Sequence, residues 1–243
     1  VRALAFLLLL AASCAVAQDY DREERWASEV VPNLVVGDAV RIEVPGGREF
    51  LGLYTGNKAA RQAILLVHGI GVHPDHGIIG FLRAALADAG YATLSIQMPV
   101  LRAEAPASEY DPMLFPEAAA RIQAGGEWLA AKGYAKPVLL SHSLGSRMAN
   151  AYLDRAAPAP FAAWVCLGIS GNFVRPASLG MPILEVYGEK DLPSVRREDW
   201  RRRMALDGVK DSTQIVIAGA DHHYTGVEKA LAAAILEFLR RVN

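Results

Sequence analysis

Residues 137–145 read Pro137-Val138-Leu139-Leu140-Ser141-His142-Ser143-Leu144-Gly145, and how they are read decides the fold. A short, unbroken apolar run has the length of a β-strand covered on both faces. From Leu144 to Ala156 the apolar residues recur every three to four positions, which is the spacing of a helix. Almost nothing joins the two. The residue at so tight a join must take a strained backbone conformation, and its neighbours two positions away on either side must be small. Centred on Ser143, the turn has Gly145 on one side and Ser141 on the other. Centred on Ser141, it would place Leu139 where there is no room for it, so Ser143 is the better centre. Taken alone, the segment reads equally well as a helix N-cap, where serine is favoured.

Working outward, short apolar runs alternate with longer helix-like segments from Ile64 to the C-terminus. Strands are expected at Ile64 to Val67, Ala92 to Ile96, Val138 to Ser141, Ala163 to Gly168, Ile183 to Tyr187 and Gln214 to Ala218. Helices are expected near Ile79 to Ala89, Pro116 to Lys132, Leu144 to Ala156, Val195 to Ala205 and Val227 to Val242. Such alternation implies a parallel sheet with helices on both faces. Asp19 to Glu29 is compatible with a polar helix. Asn33 to Tyr54 holds two β-rich runs broken at Pro45-Gly46-Gly47, which read as an N-terminal antiparallel hairpin on the same sheet. The stretch Gln97 to Phe115, with Pro99, Pro106 and Pro112, has no steady period and reads as a loop over the carboxyl edge of the sheet. Its Met98, Leu101, Met113, Leu114 and Phe115 would serve as an apolar wall for a ligand or as core packing. Only about a dozen residues, Ser170 to Met181, separate the fourth and fifth of these six strands. No substantial lid domain fits there.

Three further strand ends carry polar residues able to do chemistry. Ile64 to Val67 runs into His68-Gly69-Ile70-Gly71, Ile183 to Tyr187 into Gly188-Glu189-Lys190-Asp191, and Gln214 to Ala218 into Gly219-Ala220-Asp221-His222-His223. Together with Ser-His-Ser-Leu-Gly, and in the order Ser, Asp, His, these resemble the α/β-hydrolase superfamily. Within it, His68 to His76 and Ala92 to Pro99 look like a group of small exported α/β-hydrolase-like proteins of unassigned substrate. The resemblance implies an α/β-hydrolase fold with Ser143 as nucleophile, His222 as general base and Asp191 as the acid that orients it. It also implies backbone N–H groups of Ile70 and Leu144 as an oxyanion hole. Glu189 is the reserve for Asp191 and His223 for His222. Asp191 also suits a helix cap. The departure from the pattern is Ser141, where the family has glycine.

The bulk numbers narrow the rest. The chain has 243 residues, 52% hydrophobic and 21% charged, with a formal net charge of −1. This is the composition of a globular domain, and it gives no electrostatic reason to expect nucleic acid as a partner. Val1 to Ala17 combines a basic start, an apolar run too short to span a bilayer and small residues at Ala15 and Ala17. That is a signal-peptide pattern, with cleavage expected before Gln18 and a single domain over 18–243. A periplasmic or secreted location follows, without a stable membrane span. Rival readings are a lipid anchor at Cys14 and an uncleaved segment. Cleavage would leave Cys166 as the one cysteine, inside an apolar run, so an internal disulfide is ruled out and a buried thiol expected. Glu198 and Asp199, spaced four residues before Arg202 and Arg203, read as ion pairs on a solvated helix face.

The functional expectation is a serine hydrolase cleaving an ester-like acyl bond of a small-molecule substrate through an acyl-enzyme at Ser143, with no cofactor and no metal. The alternative is a catalytically inactive binding protein of the cell envelope that keeps the fold. A metal-dependent reading rests on His68, His73, Asp75 and His76 lying within nine residues; a polar loop at the rim of the site is the preferred account of His73 and His76.

Overall fold

The computed structural model describes residues 18–110, 113–156 and 158–242; residues 1–17, with the expected signal peptide and Cys14, lie outside them. Eight strands form one sheet in the order β1-β2-β4-β3-β5-β6-β7-β8. They are β1 (Asp38–Glu43), β2 (Glu49–Thr55), β3 (Ala63–Val67), β4 (Ala92–Ile96), β5 (Val138–His142), β6 (Ala163–Leu167), β7 (Ile183–Gly188) and β8 (Thr213–Ile217). The hairpin β1–β2 is antiparallel and joins β4 antiparallel; every other pairing is parallel. All six strands expected from β3 onward are present, with ends within two residues of their expected positions.

The central strands are unbroken apolar runs because both faces are covered. Side chains alternate across a strand. In β3, Leu65 and Val67 face a core completed by α3 (Phe115–Ala131) and α4 (Leu144–Arg155), through Ile122, Leu129, Met148 and Leu153. Ile64 and Leu66 face the opposite core, built with α2 (Gly77–Asp88) and α7 (Glu228–Val242) through Ile79, Leu82, Ile235 and Phe238. A smaller cluster of Ala27, Leu51 and Leu53 seats α1 (Tyr20–Val30) on the hairpin. The Asp19 carboxylate accepts the N–H of Arg22 at 2.8 Å and so caps α1. Among the described residues no helix is long and apolar enough to cross a membrane.

One expectation needs correction. The helix foreseen over Val195 to Ala205 is broken into α5 (Pro193–Arg196) and α6 (Asp199–Leu206). The expected pairs of Glu198 with Arg202 and Asp199 with Arg203 on a solvated face do not form. Arg202 is fully buried and pairs with Glu185 on β7, while its Nη2 donates to the Val195 carbonyl at 2.7 Å, capping the short α5. Glu198 pairs instead with Arg201 at 2.9 Å, and Asp199 accepts the Tyr187 hydroxyl at 2.7 Å. A buried carboxylate demands a cation, and that demand outweighs a surface pair worth a few tenths of a kcal/mol.

In the loop after β4 one of the two accounts left open by the sequence holds. Met98, Leu101 and Leu114 are buried in the same core as α3 and α4, so core packing accounts for these three, while Met113 is exposed. Between β6 and β7 the chain makes only a short 3₁₀ turn, Pro176–Leu179, and no helical lid.

Candidate active site

Parallel strands all present their carboxyl ends on one edge, and three of those ends carry the expected side chains. Ser143 stands between β5 and α4 with φ 57° and ψ −122°, the strained conformation that the tight turn requires. The crossing is close. A Cβ at Gly145 would strike the His68 carbonyl, which is why only glycine fits at this position. Asp191 follows β7 and His222 follows β8. His222 Nε2 lies 2.8 Å from Ser143 Oγ, and its Nδ1 lies 2.6 Å from Asp191 Oδ1. Ser143, His222 and Asp191 thus form one hydrogen-bonded chain from residues up to 79 positions apart.

The electrostatics follow from the partners. Burial opposes ionisation of Asp191. Hydrogen bonds from His222 and from the backbone N–H groups of Gly188 (3.1 Å) and Leu192 (2.7 Å) outweigh it and hold the carboxyl below its ordinary range. A carboxylate there keeps the proton of His222 on Nδ1, leaving Nε2 free to accept from the serine hydroxyl. Gly168, at the end of β6, makes room for this pair: a Cβ on it would come within 3.0 Å of His222 Cε1. Neither reserve residue is the one bridged to Ser143 or His222 in this chain, although His223 lines the same cavity. Glu189 is exposed and accepts the Gly219 N–H at 2.8 Å, and His223 is exposed.

The serine upstream of the turn is built into the molecule. Ser141 Oγ lies 3.0 Å from Ser146 Oγ and accepts the Trp164 indole N–H at 2.9 Å, and Ser146 Oγ donates to the Leu167 carbonyl at 3.0 Å. Where glycine would leave the indole unpaired, the extra hydroxyl gives it an acceptor. Cys166, beside this network, is buried, and burial holds its thiol well above its ordinary range, so the expected packing role fits.

A cavity of about 600 Å³ opens over Ser143. Ile70, Val72, Ile78, Ile79, Phe81 and Leu144 supply apolar wall, so most of it comes from the loop after β3 and the start of α2; of the described residues of the Gln97 to Phe115 loop, Ala107 lines it. Ile70 and Leu144 both line it. Leu144 is the first residue of α4, where an N–H has no acceptor within the helix. The N–H of Ser143 itself is used by the Leu167 carbonyl at 2.9 Å.

His68 and His142 border this cavity and are buried. Burial pushes the imidazole of His68 down to about 3 and that of His142 down to about 4, so both are neutral near pH 7. His142 Nε2–H donates to the carbonyl of His222 at 2.9 Å. Sequence alone gave this residue no part. Its place in the turn, between strand and nucleophile, is the one signal that pointed to it. His76 lines the cavity, while His73 packs on Trp26 and His76 with ring centroids 5.8 Å and 5.4 Å apart. Asp75 is committed to Arg83, at 2.7 Å and 3.1 Å. Among the described residues no group of three or more His, Cys, Asp or Glu is placed to hold a metal ion.

Comparison with solved structures gives a consistent answer. Est1E from Butyrivibrio proteoclasticus superimposes with a TM-score of 0.66 at 13% identity, over 84% of this chain and 98% of its own. A dienelactone hydrolase from Anabaena variabilis gives 0.65 at 22%, over 84% and 96%. The Pyrococcus furiosus esterase Pf2001 gives 0.68 at 14%, over 87% and 95%. The chain has the α/β-hydrolase fold. Residues 3–120 also match the family described as "Protein of unknown function (DUF3530)", and the comparison with curated proteins gives no match. Ser143 follows β5 of the eight-stranded sheet. α1 precedes the hairpin, and a short 3₁₀ turn is the helical element between β6 and β7 among the described residues.

Proposed function

We propose that the protein is a serine hydrolase that cleaves an ester-like acyl bond, carboxylic ester before thioester or amide, through an acyl-enzyme at Ser143. One observation carries the reading: a single imidazole, His222, bridges the hydroxyl of Ser143 and the carboxylate of Asp191 at 2.8 Å and 2.6 Å, at the floor of an open cavity. Several fold neighbours are esterases or lipases by name, which favours the same class.

The chemistry then runs as follows. His222 takes the Ser143 proton as Oγ attacks the carbonyl carbon, and Asp191 stabilises the imidazolium that forms. The N–H groups of Ile70 and Leu144 receive the oxyanion, each such donor being worth about 3 kcal/mol at the transition state. His222 gives its proton to the leaving alkoxide, which departs as the alcohol, and the acyl group stays on Ser143. A water activated by the same imidazole releases the acid. No cofactor or metal enters these steps. The apolar wall beside Ser143 suits a small-molecule substrate with a hydrophobic acyl chain. The leader sequence supports a periplasmic or secreted location.

Labelling with a fluorophosphonate probe tests this directly. The expected adduct is on Ser143, absent in Ser143→Ala, with hydrolysis of short acyl esters lowered in that variant by a factor that reaches on the order of 10⁶. A folded parent protein that takes no label and hydrolyses no ester of any chain length would be a binding protein instead.

A further inference from the structure

We propose that Arg22, on α1, is a positioning residue that holds the Ile70 N–H in place; this deepens the reading above and rests on it. Ile70 sits between two glycines. Gly71 has φ +64°, in the left-handed region, and a Gly-X-Gly segment has little stiffness of its own. What fixes it comes from outside. On one side His68 Nδ1–H donates to the Gly69 carbonyl at 2.8 Å, its Nε2 being engaged by the Met98 N–H at 2.9 Å. On the other, Arg22 Nη2 donates to the Gly71 carbonyl at 3.0 Å. The peptide that carries the Ile70 N–H is therefore held at its own carbonyl by His68, and the chain beyond it is tethered two peptides on, at the Gly71 carbonyl, by Arg22.

The same guanidinium reaches further. Arg22 Nη1 donates to the Leu101 carbonyl at 2.7 Å, so one planar group bridges the loop after β3 and the loop after β4. A guanidinium makes two such bonds in a fixed fork, and an ammonium cannot reproduce that geometry. Arg22 lies on the Trp26 ring, 4.5 Å from its centroid. The helix that carries it is anchored to the core by Glu23, whose carboxylate meets the buried Arg121 at 2.9 Å; Arg121 also donates to the Gln97 carbonyl at 3.0 Å. Neither Arg22 nor any other residue of α1 lines the cavity, so its influence on the reaction passes through the loop.

The test uses the full chain. Arg22→Ala is expected to lower kcat for ester hydrolysis at least tenfold while KM changes less than twofold, because an oxyanion donor acts on the transition state more than on bound substrate. The acid limb of the kcat profile should stay where it is, since His222 and Asp191 are untouched. Arg22→Lys, which keeps one carbonyl bond, should recover part of the loss, and it carries the test should Arg22→Ala not fold. Arg41→Ala, which removes the exposed Arg41–Glu24 pair between α1 and β1, should keep the parent kcat. Amide hydrogen exchange should quicken at residues 69–72 in Arg22→Ala and not in Arg41→Ala. A folded Arg22→Ala protein with parental kcat, or with unchanged exchange at residues 69–72, overturns the proposal. So does an equal loss in Arg41→Ala. A parent chain that neither hydrolyses esters nor takes label counts against the proposed function, and exchange at residues 69–72 then decides separately whether Arg22 holds the loop.

Discussion

The imidazole of His142 hydrogen-bonds the backbone carbonyl of His222 at 2.9 Å, so the residue just ahead of Ser143 holds the loop that carries the His222 imidazole. His142 is kept neutral by burial and by the neighbouring His222 down to about pH 4, and His68, by burial, down to about pH 3. In the unfolded chain both take up protons near the ordinary value of 6.5. Between those limits the unfolded state binds more protons, so stability rises with pH and is lost as pH falls below about 6.5. Asp191, whose pKa is lowered on folding, adds to the loss only near and below its ordinary value of 3.8. Urea midpoints at pH 7, 5.5 and 4.5 should decrease in that order. His142→Gln, which keeps a donor but does not titrate, should flatten the slope by at most about 1.4 kcal/mol per pH unit. Equal slopes in the two proteins would show that His142 does not resist protonation.

Asp191→Asn should lower kcat/KM by on the order of 10⁴, because an amide no longer holds the Nδ1 proton and the imidazole loses its productive tautomer. Glu189→Gln should stay within twofold of the parent, since the Glu189 carboxylate is turned to the Gly219 N–H. Steady-state ester hydrolysis separates them. Reversed effects would move the orienting role to Glu189.

Ser143→Gly and Ser143→Ala should both be inactive yet differ in stability. Each removes the same hydroxyl, but only glycine is at ease at φ 57°. A non-glycine residue in such a region costs of order 1–3 kcal/mol. The glycine variant should therefore unfold at higher urea, by about 1 kcal/mol in favour. Identical midpoints would mean that no strain is stored at this turn.

Restoring the family's glycine at position 141 should harm this protein. Ser141→Gly leaves the Trp164 N–H without its acceptor, a loss of about 1–3 kcal/mol. Ester hydrolysis at 25 °C should change little, because the hydroxyl of Ser141 is fully buried and turned away from the cavity. Thermal melting and a rate measured well below the midpoint test the two halves separately.

The strands and the Ser143, Asp191 and His222 positions were legible because their signals are local. A run of four to six apolar residues that ends in glycine and then a polar group reads the same wherever it sits in the chain. What stayed hidden depends on partners far away in sequence. Arg202 carries a spacing that suits a surface pair with Glu198, and nothing near it announces the buried Glu185, 17 residues earlier. Arg22 is one charge in a polar helix until Gly71 and Leu101 fold against it. Likewise the apolar character of Met98 and Leu101 does not say whether they face ligand or core, since either environment accepts the same side chains.

His222 arrives last. His222 stands beyond the final strand of the sheet, 79 positions after the serine that it contacts, and Asp191 comes between them. A polypeptide still emerging from the ribosome would carry its hydroxyl with no imidazole beside it and remain inert toward passing acyl compounds. Under the proposed function, reactivity would switch on only when β8 completes the sheet, so turnover in such a protein would double as a report that the sheet has assembled.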